Sequence, residues 1–184
     1  MKYSYSDWNN KQGTIPVHWK ANDYKELQWY RNPDRNKGFA TAEENYNIYG
    51  ERVGCYIPVF EEAGKGSFIP EAVDKVFGYV LSHFDLKELV YAFARYTPGM
   101  ILPWHKDNYP TYAKNKNANI NNIVRVVIFL HDPAPGHQLW IEDQYCTGPA
   151  GSWFAWKGAT KHMAANLGEV DRYIIQLTGM PSIK

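Results

Sequence analysis

The sequence predicts a mainly β domain with flanking helices, folded as a sandwich or barrel of the jelly-roll kind. Three observations carry that expectation. From residue 89 onward, short β-branched and aromatic runs alternate with turn signals, in the pattern of six to eight strands. One segment stands out for the 3.6-residue apolar period of a helix. The length, 184 residues, suits one domain with a real core better than two.

In order along the chain, residues 1–50 are polar, aromatic and rich in Asn, with turn signals at Asn32-Pro33-Asp34 and Asn36-Lys37-Gly38. This stretch is expected to wrap the rest of the domain. The helix is expected over 70–84, because Val73, Val76, Phe77, Val80, Leu81 and Phe84 fall on one face. Pro70 suits the first helical position, and Glu71 and Asp74 complement the positive end of the dipole. The period then becomes that of strands. Leu89 to Tyr96 is a strand stopped by Pro98-Gly99, and Met100 to Asp107 a second. Residues 108–122 read as a polar, Asn- and Lys-rich loop, long enough for a lid. Ile123 to Leu130 reads as a strand buried on both faces. Turns at 133–136 and 148–151 lead into strands around Leu139 and Phe154. Thr160 to Ala165 and Val170 to Thr178 read as a hairpin around Asn166-Leu167-Gly168. The boundaries expected are therefore a single domain over 1–184, with an N-terminal extension and supporting helix over 1–88 and a β core over 89–180.

Composition narrows the function classes. Twenty basic against nineteen acidic residues, for a formal charge of +1, do not predict a general nucleic-acid binder. No apolar run approaches the length of a membrane span, and the first residues carry no signal-peptide core. Two cysteines make no disulfide framework, so a reducing, cytoplasmic setting is expected. Aromatics reach 16%, which suits cores, pockets and interfaces alike.

Chemistry enters at Leu102-Pro103-Trp104-His105-Lys106-Asp107. On a strand, residues i and i+2 share a face, so His105 and Asp107 can reach one point. An imidazole and a carboxylate are two thirds of the facial triad found in non-haem iron(II) oxygenases. His162 is the best third ligand, being in the last pair of strands with Arg172 ten residues beyond it. His131 and His137 flank Pro133-Ala134-Pro135-Gly136 and read as exposed loop residues. Trp104, Trp153 and Trp156 read as core and rim packing.

Over about residues 90–178 the chain resembles the double-stranded β-helix core, a distorted cupin-like jelly roll, of iron(II)/2-oxoglutarate-dependent oxygenases. The lead-in from Arg95 through Tyr96 and Gly99 to His105 and Asp107 resembles prolyl-hydroxylase-like members. Arg125, within Val-Arg-Val-Val-Ile-Phe-Leu, resembles a basic position of aspartyl/asparaginyl β-hydroxylase-like members. Gly151 to Trp156, His162 and Arg172 resemble the distal-histidine strand and the cosubstrate arginine.

The resemblance implies a dioxygenase, an oxidoreductase that uses iron(II), 2-oxoglutarate and molecular oxygen to hydroxylate an unactivated C–H bond. It implies metal ligation by His105, Asp107 and His162. Arg172 would hold the far carboxylate of the cosubstrate, for which a guanidinium offers a bidentate fork. Arg125 is read either as a cosubstrate or substrate contact or as half of a structural ion pair, since a buried guanidinium needs an anion. Tyr96 is read as a cosubstrate contact or a core residue. Asp107, retained where halogenating members have a small residue, favours hydroxylation. The expected partner is a primary substrate, either a peptide or protein side chain or a small molecule. Two alternatives stay open: a cupin-like metalloenzyme without 2-oxoglutarate, and a non-catalytic jelly-roll binding module.

Overall fold

The computed structural model describes residues 8–31, 48–59 and 69–182. The turns expected at 32–34 and 36–38 lie outside the described residues. The described chain runs β1 (Lys11–Thr14), α1 (Ala21–Lys25), β2 (Trp29–Tyr30), β3 (Ile57–Pro58), α2 (Glu71–Ser82), β4 (Leu86–Tyr96) and β5 (Ile101–His105). It continues α3 (Pro110–Lys116), β6 (Val124–Phe129), β7 (His137–Ile141), β8 (Gln144–Tyr145), β9 (Ser152–Lys157), β10 (His162–Asn166) and β11 (Arg172–Pro181).

Two antiparallel sheets face one another. The larger has the order β1-β9-β6-β11-β4, the smaller β5-β10-β7-β8, and β2 pairs with β3 in a separate ribbon. Apart from β1, the strands from β4 to β11 wind between the sheets so that the first pairs with the last and the second with the last but one. That is the double-stranded β-helix, a jelly roll, as the sequence led one to expect.

Alternation along each strand divides two cores. On β6, Val124, Val126 and Ile128 pack with Phe77, Val80 and Phe93 between the larger sheet and α2. Val127 and Phe129 instead meet Leu139, Ile141 and Ala164 between the two sheets. The β-branched run is thus covered on both faces, which is why it reads as continuously apolar. On β11, Ile175 and Leu177 join the core on the α2 side, as does Tyr173, which packs on Tyr24 and Trp29, while Ile174 faces the smaller sheet. Period two therefore places Arg172, Ile174 and Gln176 on the inter-sheet side.

Four local expectations are corrected. Helix α2 ends at Ser82 instead of reaching Phe84, because Phe84 turns into the core, edge-on to Trp153 at 5.4 Å. Strand β5 stops at His105, so Asp107 lies just beyond it. Residues 110–116 form α3, not a plain loop. Pro110 opens it with its φ already near the helical value, and Tyr109 and Asn117 close the two ends in the left-handed region at φ 44° and 47°. The hairpin expected over 160–178 does not exist. β10 pairs with β5 and β7, whereas β11 crosses to the other sheet and pairs with β4 and β6.

The N-terminal stretch does more than wrap. β1 adds an edge strand to β9, with Gly13 opposite Trp153. A Cβ on Gly13 would come within 2.8 Å of the Trp153 ring, so this strand needs a glycine to lie flat. Trp8, fully buried, packs between Phe84 and Trp153.

Candidate metal centre

β5 and β10 are antiparallel neighbours, and the register places His105 directly opposite His162. Cross-strand partners stand close, and the two ring centroids are 4.2 Å apart. Each imidazole turns Nδ1 toward a backbone carbonyl: His105 to Pro103 O at 2.7 Å, His162 to Thr160 O at 2.9 Å. A carbonyl oxygen only accepts, so each Nδ1 donates its proton, and in the neutral imidazole the lone pair is then on Nε2. Those Nε2 atoms meet the Asp107 carboxylate, His105 with Oδ1 at 3.6 Å and His162 with Oδ2 at 3.7 Å.

The three side chains thus offer donor atoms all within 4.8 Å of one another. Donors about 2.1 Å from one ion and at right angles to each other stand about 3 Å apart, so closure onto an ion needs only a small inward movement. The donor chemistry also fits. Burial pushes the His162 pKa down to about 4, leaving its imidazole neutral and ready to ligate. Burial opposes the charge on Asp107, but Arg125 together with the two imidazoles outweighs it and holds the carboxyl well below the usual carboxylate range. Two neutral imidazoles and one carboxylate are the ligand set that suits iron(II) with open positions.

Arg125 donates from Nη2 to Asp107 Oδ2 at 3.2 Å and from Nη1 to Gln176 Oε1 at 3.5 Å, with its Cζ 5.0 Å from the Tyr109 ring centroid. Its anionic partner is therefore Asp107 itself. Arg125, Tyr96, Trp156 and Gln176 line the same cavity as His105, Asp107 and His162, with Val127, Leu139 and Ile174 as apolar wall.

Arg172 lines a neighbouring cavity instead. Its register partner on β4 is Tyr96, and its Cζ lies 5.4 Å from the ring centroids of both Tyr96 and Phe129. It donates to Gln138 O at 2.8 Å, and no carboxylate pairs with it among the described residues. Burial lowers its pKa from the ordinary guanidinium value. It lines a small cavity with His131, His137 and Cys146, and Leu139 borders both this cavity and the one at the triad.

His131 and His137 are not exposed loop residues. His137 is 5% exposed and stands at the start of β7, accepting from Ala134 N at Nδ1 and donating from Nε2 to Val170 O. His131, half-buried, accepts from Tyr173 N at Nε2. Both tie the loop ahead of β7 to the start of β11. Trp104 is exposed at the rim, Trp153 belongs to the α2 core, and Trp156 faces the cavity. Sequence reasoning passed over Tyr109, Trp156 and Gln176 as neighbours of the site. Alternation along β9 and β11 was the signal available for the last two.

No family model matches the sequence, and no curated protein is similar to it at a significant level. Among solved structures, the chain is similar to a prolyl-4-hydroxylase from Pseudomonas putida, with 16% identity over 88% of this chain and 96% of that one and a TM-score of 0.48. It is also similar to a cupin-2 domain protein from Shewanella frigidimarina, with 14% identity over 55% and 89% of the two chains and a TM-score of 0.34. A double-stranded β-helix protein from Klebsiella pneumoniae gives 11% identity, 55% and 75% coverage, and a TM-score of 0.37. These scores are low, and the fold rests on the strand pairing. No helix among the described residues is long and apolar enough to cross a membrane.

Proposed function

We propose that this protein is an iron(II)- and 2-oxoglutarate-dependent dioxygenase that hydroxylates an unactivated C–H bond, on a peptide or protein side chain or a small molecule. The observation that carries the reading is the convergence of His105 Nε2, His162 Nε2 and the Asp107 carboxylate at one end of a jelly-roll cavity. Iron(II) held there would supply the oxidation: one oxygen atom of dioxygen enters the substrate C–H bond and the other enters succinate, as 2-oxoglutarate loses carbon dioxide.

The chain's own residues bind and orient. His105 and His162 present lone pairs fixed by their Nδ1 hydrogen bonds, and Asp107 brings the charge. Arg172 would receive the far carboxylate of 2-oxoglutarate, since its guanidinium is buried without a carboxylate of its own among the described residues. It lies on the same β11 face as Ile174 and Gln176, and Tyr96, whose ring centroid is 5.4 Å from its Cζ, lines the metal cavity. The apolar wall of Val127, Leu139 and Ile174 limits water beside the triad.

Equilibrium dialysis of iron(II) under nitrogen, followed by calorimetric titration with 2-oxoglutarate, tests the reading. One equivalent of iron per chain is expected, lost in His105→Ala, with 2-oxoglutarate bound more tightly when metal is present. Iron binding without 2-oxoglutarate binding would favour a cupin-like metalloenzyme. Binding of neither would favour a non-catalytic jelly roll.

A further inference from the structure

The wall beside the triad is a cluster of hydrogen-bond donors. Arg125 on β6 and Trp156 on β9 are direct cross-strand partners, so their side chains leave the sheet on the same face. Both line the metal cavity, together with Gln176. Two of the guanidinium's five N–H donors go to Asp107 and Gln176. Gln176 gives Arg125 its carbonyl oxygen, so the end of its amide that faces the guanidinium is the acceptor and its NH2 is a further donor on this wall. Trp156 is 1% exposed, and its Nε1 has no hydrogen-bond partner among the described residues. A buried N–H in that position is unfavourable unless an acceptor arrives.

Charge points the same way. Asp107 and Arg125 are the oppositely charged side chains lining this cavity, and they neutralise each other. A divalent ion on the triad claims the Asp107 charge. With 2-oxoglutarate, a dianion, and Arg172 counted as well, one positive charge stays uncompensated, and the guanidinium that carries it beside the triad is Arg125. An uncompensated charge in a mostly buried cavity is unfavourable and favours an anionic occupant.

We propose that the primary substrate carries a carboxylate, and that Arg125 and the Trp156 indole N–H bind it beside the metal. The same chemistry is offered by a free small acid and by an acidic side chain on a peptide. This rests on the metal reading of the triad and deepens it by naming the substrate class.

The test uses the full chain, 15N-labelled, loaded with zinc(II) as a diamagnetic stand-in for iron and saturated with 2-oxoglutarate. The Trp156 indole N–H signal is identified among the seven tryptophans by its loss in Trp156→Phe. Titration with propionate is expected to shift that signal to saturation, and propionamide to bind at least about tenfold more weakly. Arg125→Met is expected to weaken propionate by about 10- to 100-fold, with Arg125→Lys recovering part of the loss. Blocked Gly-Asp-Gly and Gly-Asn-Gly peptides separate the sources. A shift with the Asp peptide alone identifies an acidic side chain, and a response to propionate but to neither peptide identifies a small acid. A Trp156 signal that ignores propionate, or follows propionamide equally, overturns the carboxylate site while leaving the metal reading intact. That contrast is read on the unsubstituted chain, so it stands even where Arg125→Met fails to fold. Failure of zinc to shift the His105 and His162 ring signals removes the charge on which the inference depends and refutes both.

Discussion

Replacing Arg172 with methionine separates a binding role from a structural one. Arg172 is 4% exposed, and its guanidinium has one hydrogen bond to Gln138 O and two flanking aromatic rings. Removing it forfeits a charge-assisted hydrogen bond of about 1.5–3 kcal/mol. Two cation–π contacts, desolvated by burial, add about 2 kcal/mol each. Against this, a buried charge without an ionic partner costs several kcal/mol in lost hydration, which an unbranched apolar chain of similar length does not incur. The two sides nearly cancel, so Arg172→Met is expected to change stability by no more than about 1 kcal/mol, or about 2–4 °C in Tm for a chain of this size. Affinity for 2-oxoglutarate should behave quite differently. Loss of a buried partner for its far carboxylate costs about 3 kcal/mol, or roughly 100-fold. Urea denaturation gives the first quantity and anaerobic calorimetry with a divalent metal the second. A stability loss above about 3 kcal/mol with unchanged 2-oxoglutarate affinity would refute the reasoning and make Arg172 a packing residue.

Three further outcomes follow from the fold. Phe77→Ala empties a fully buried site where Phe77 meets Phe93 edge-on at 5.0 Å, and should cost about 3–5 kcal/mol in urea denaturation while leaving metal stoichiometry unchanged. Gly136 has φ +91°, and a Cβ there would run into the backbone of Gly168; Gly136→Ala should cost at least about 2 kcal/mol by the same measurement. Burial lowers the pKa of both His131 and His137, so the folded chain keeps them neutral where the unfolded chain binds protons. Their contribution is complete above the unfolded value of about 6.5 and is lost as pH falls from there toward the folded values. The urea midpoint should therefore drop between pH 7.5 and 5.5, with a smaller drop in His137→Asn; a rising midpoint would contradict the assignment.

The fold was legible where alternation and burial agree. β6 and β11 read as strands because each is covered on both faces, and α2 because its stripe packs on the larger sheet. The pairing of β10 and β11 was not legible. Asn166-Leu167-Gly168 has hairpin chemistry, and no local signal says that β11 crosses to the other sheet, since that depends on strands β4 and β6 far away in sequence. α3 was hidden by Asn and Lys, which mark helix surfaces and loops alike. β1 was hidden because Lys11-Gln12-Gly13-Thr14, half-exposed at a sheet edge, has no apolar rhythm. At the site, the spacing of His105 and Asp107 placed two donors together, and the opposition of His105 and His162 came from tertiary register. The pairing of Arg125 with Asp107 and the packing of Arg172 against the Tyr96 ring depend on side-chain directions across neighbouring strands, which periodicity does not encode.

The most direct test of the central claim is anaerobic visible spectroscopy of the full chain with iron(II) and 2-oxoglutarate. A charge-transfer band in the green region that needs both additions, and vanishes in His162→Ala, is the predicted result. Iron(II) and 2-oxoglutarate that give no band together, or a band that survives His162→Ala, would contradict the account.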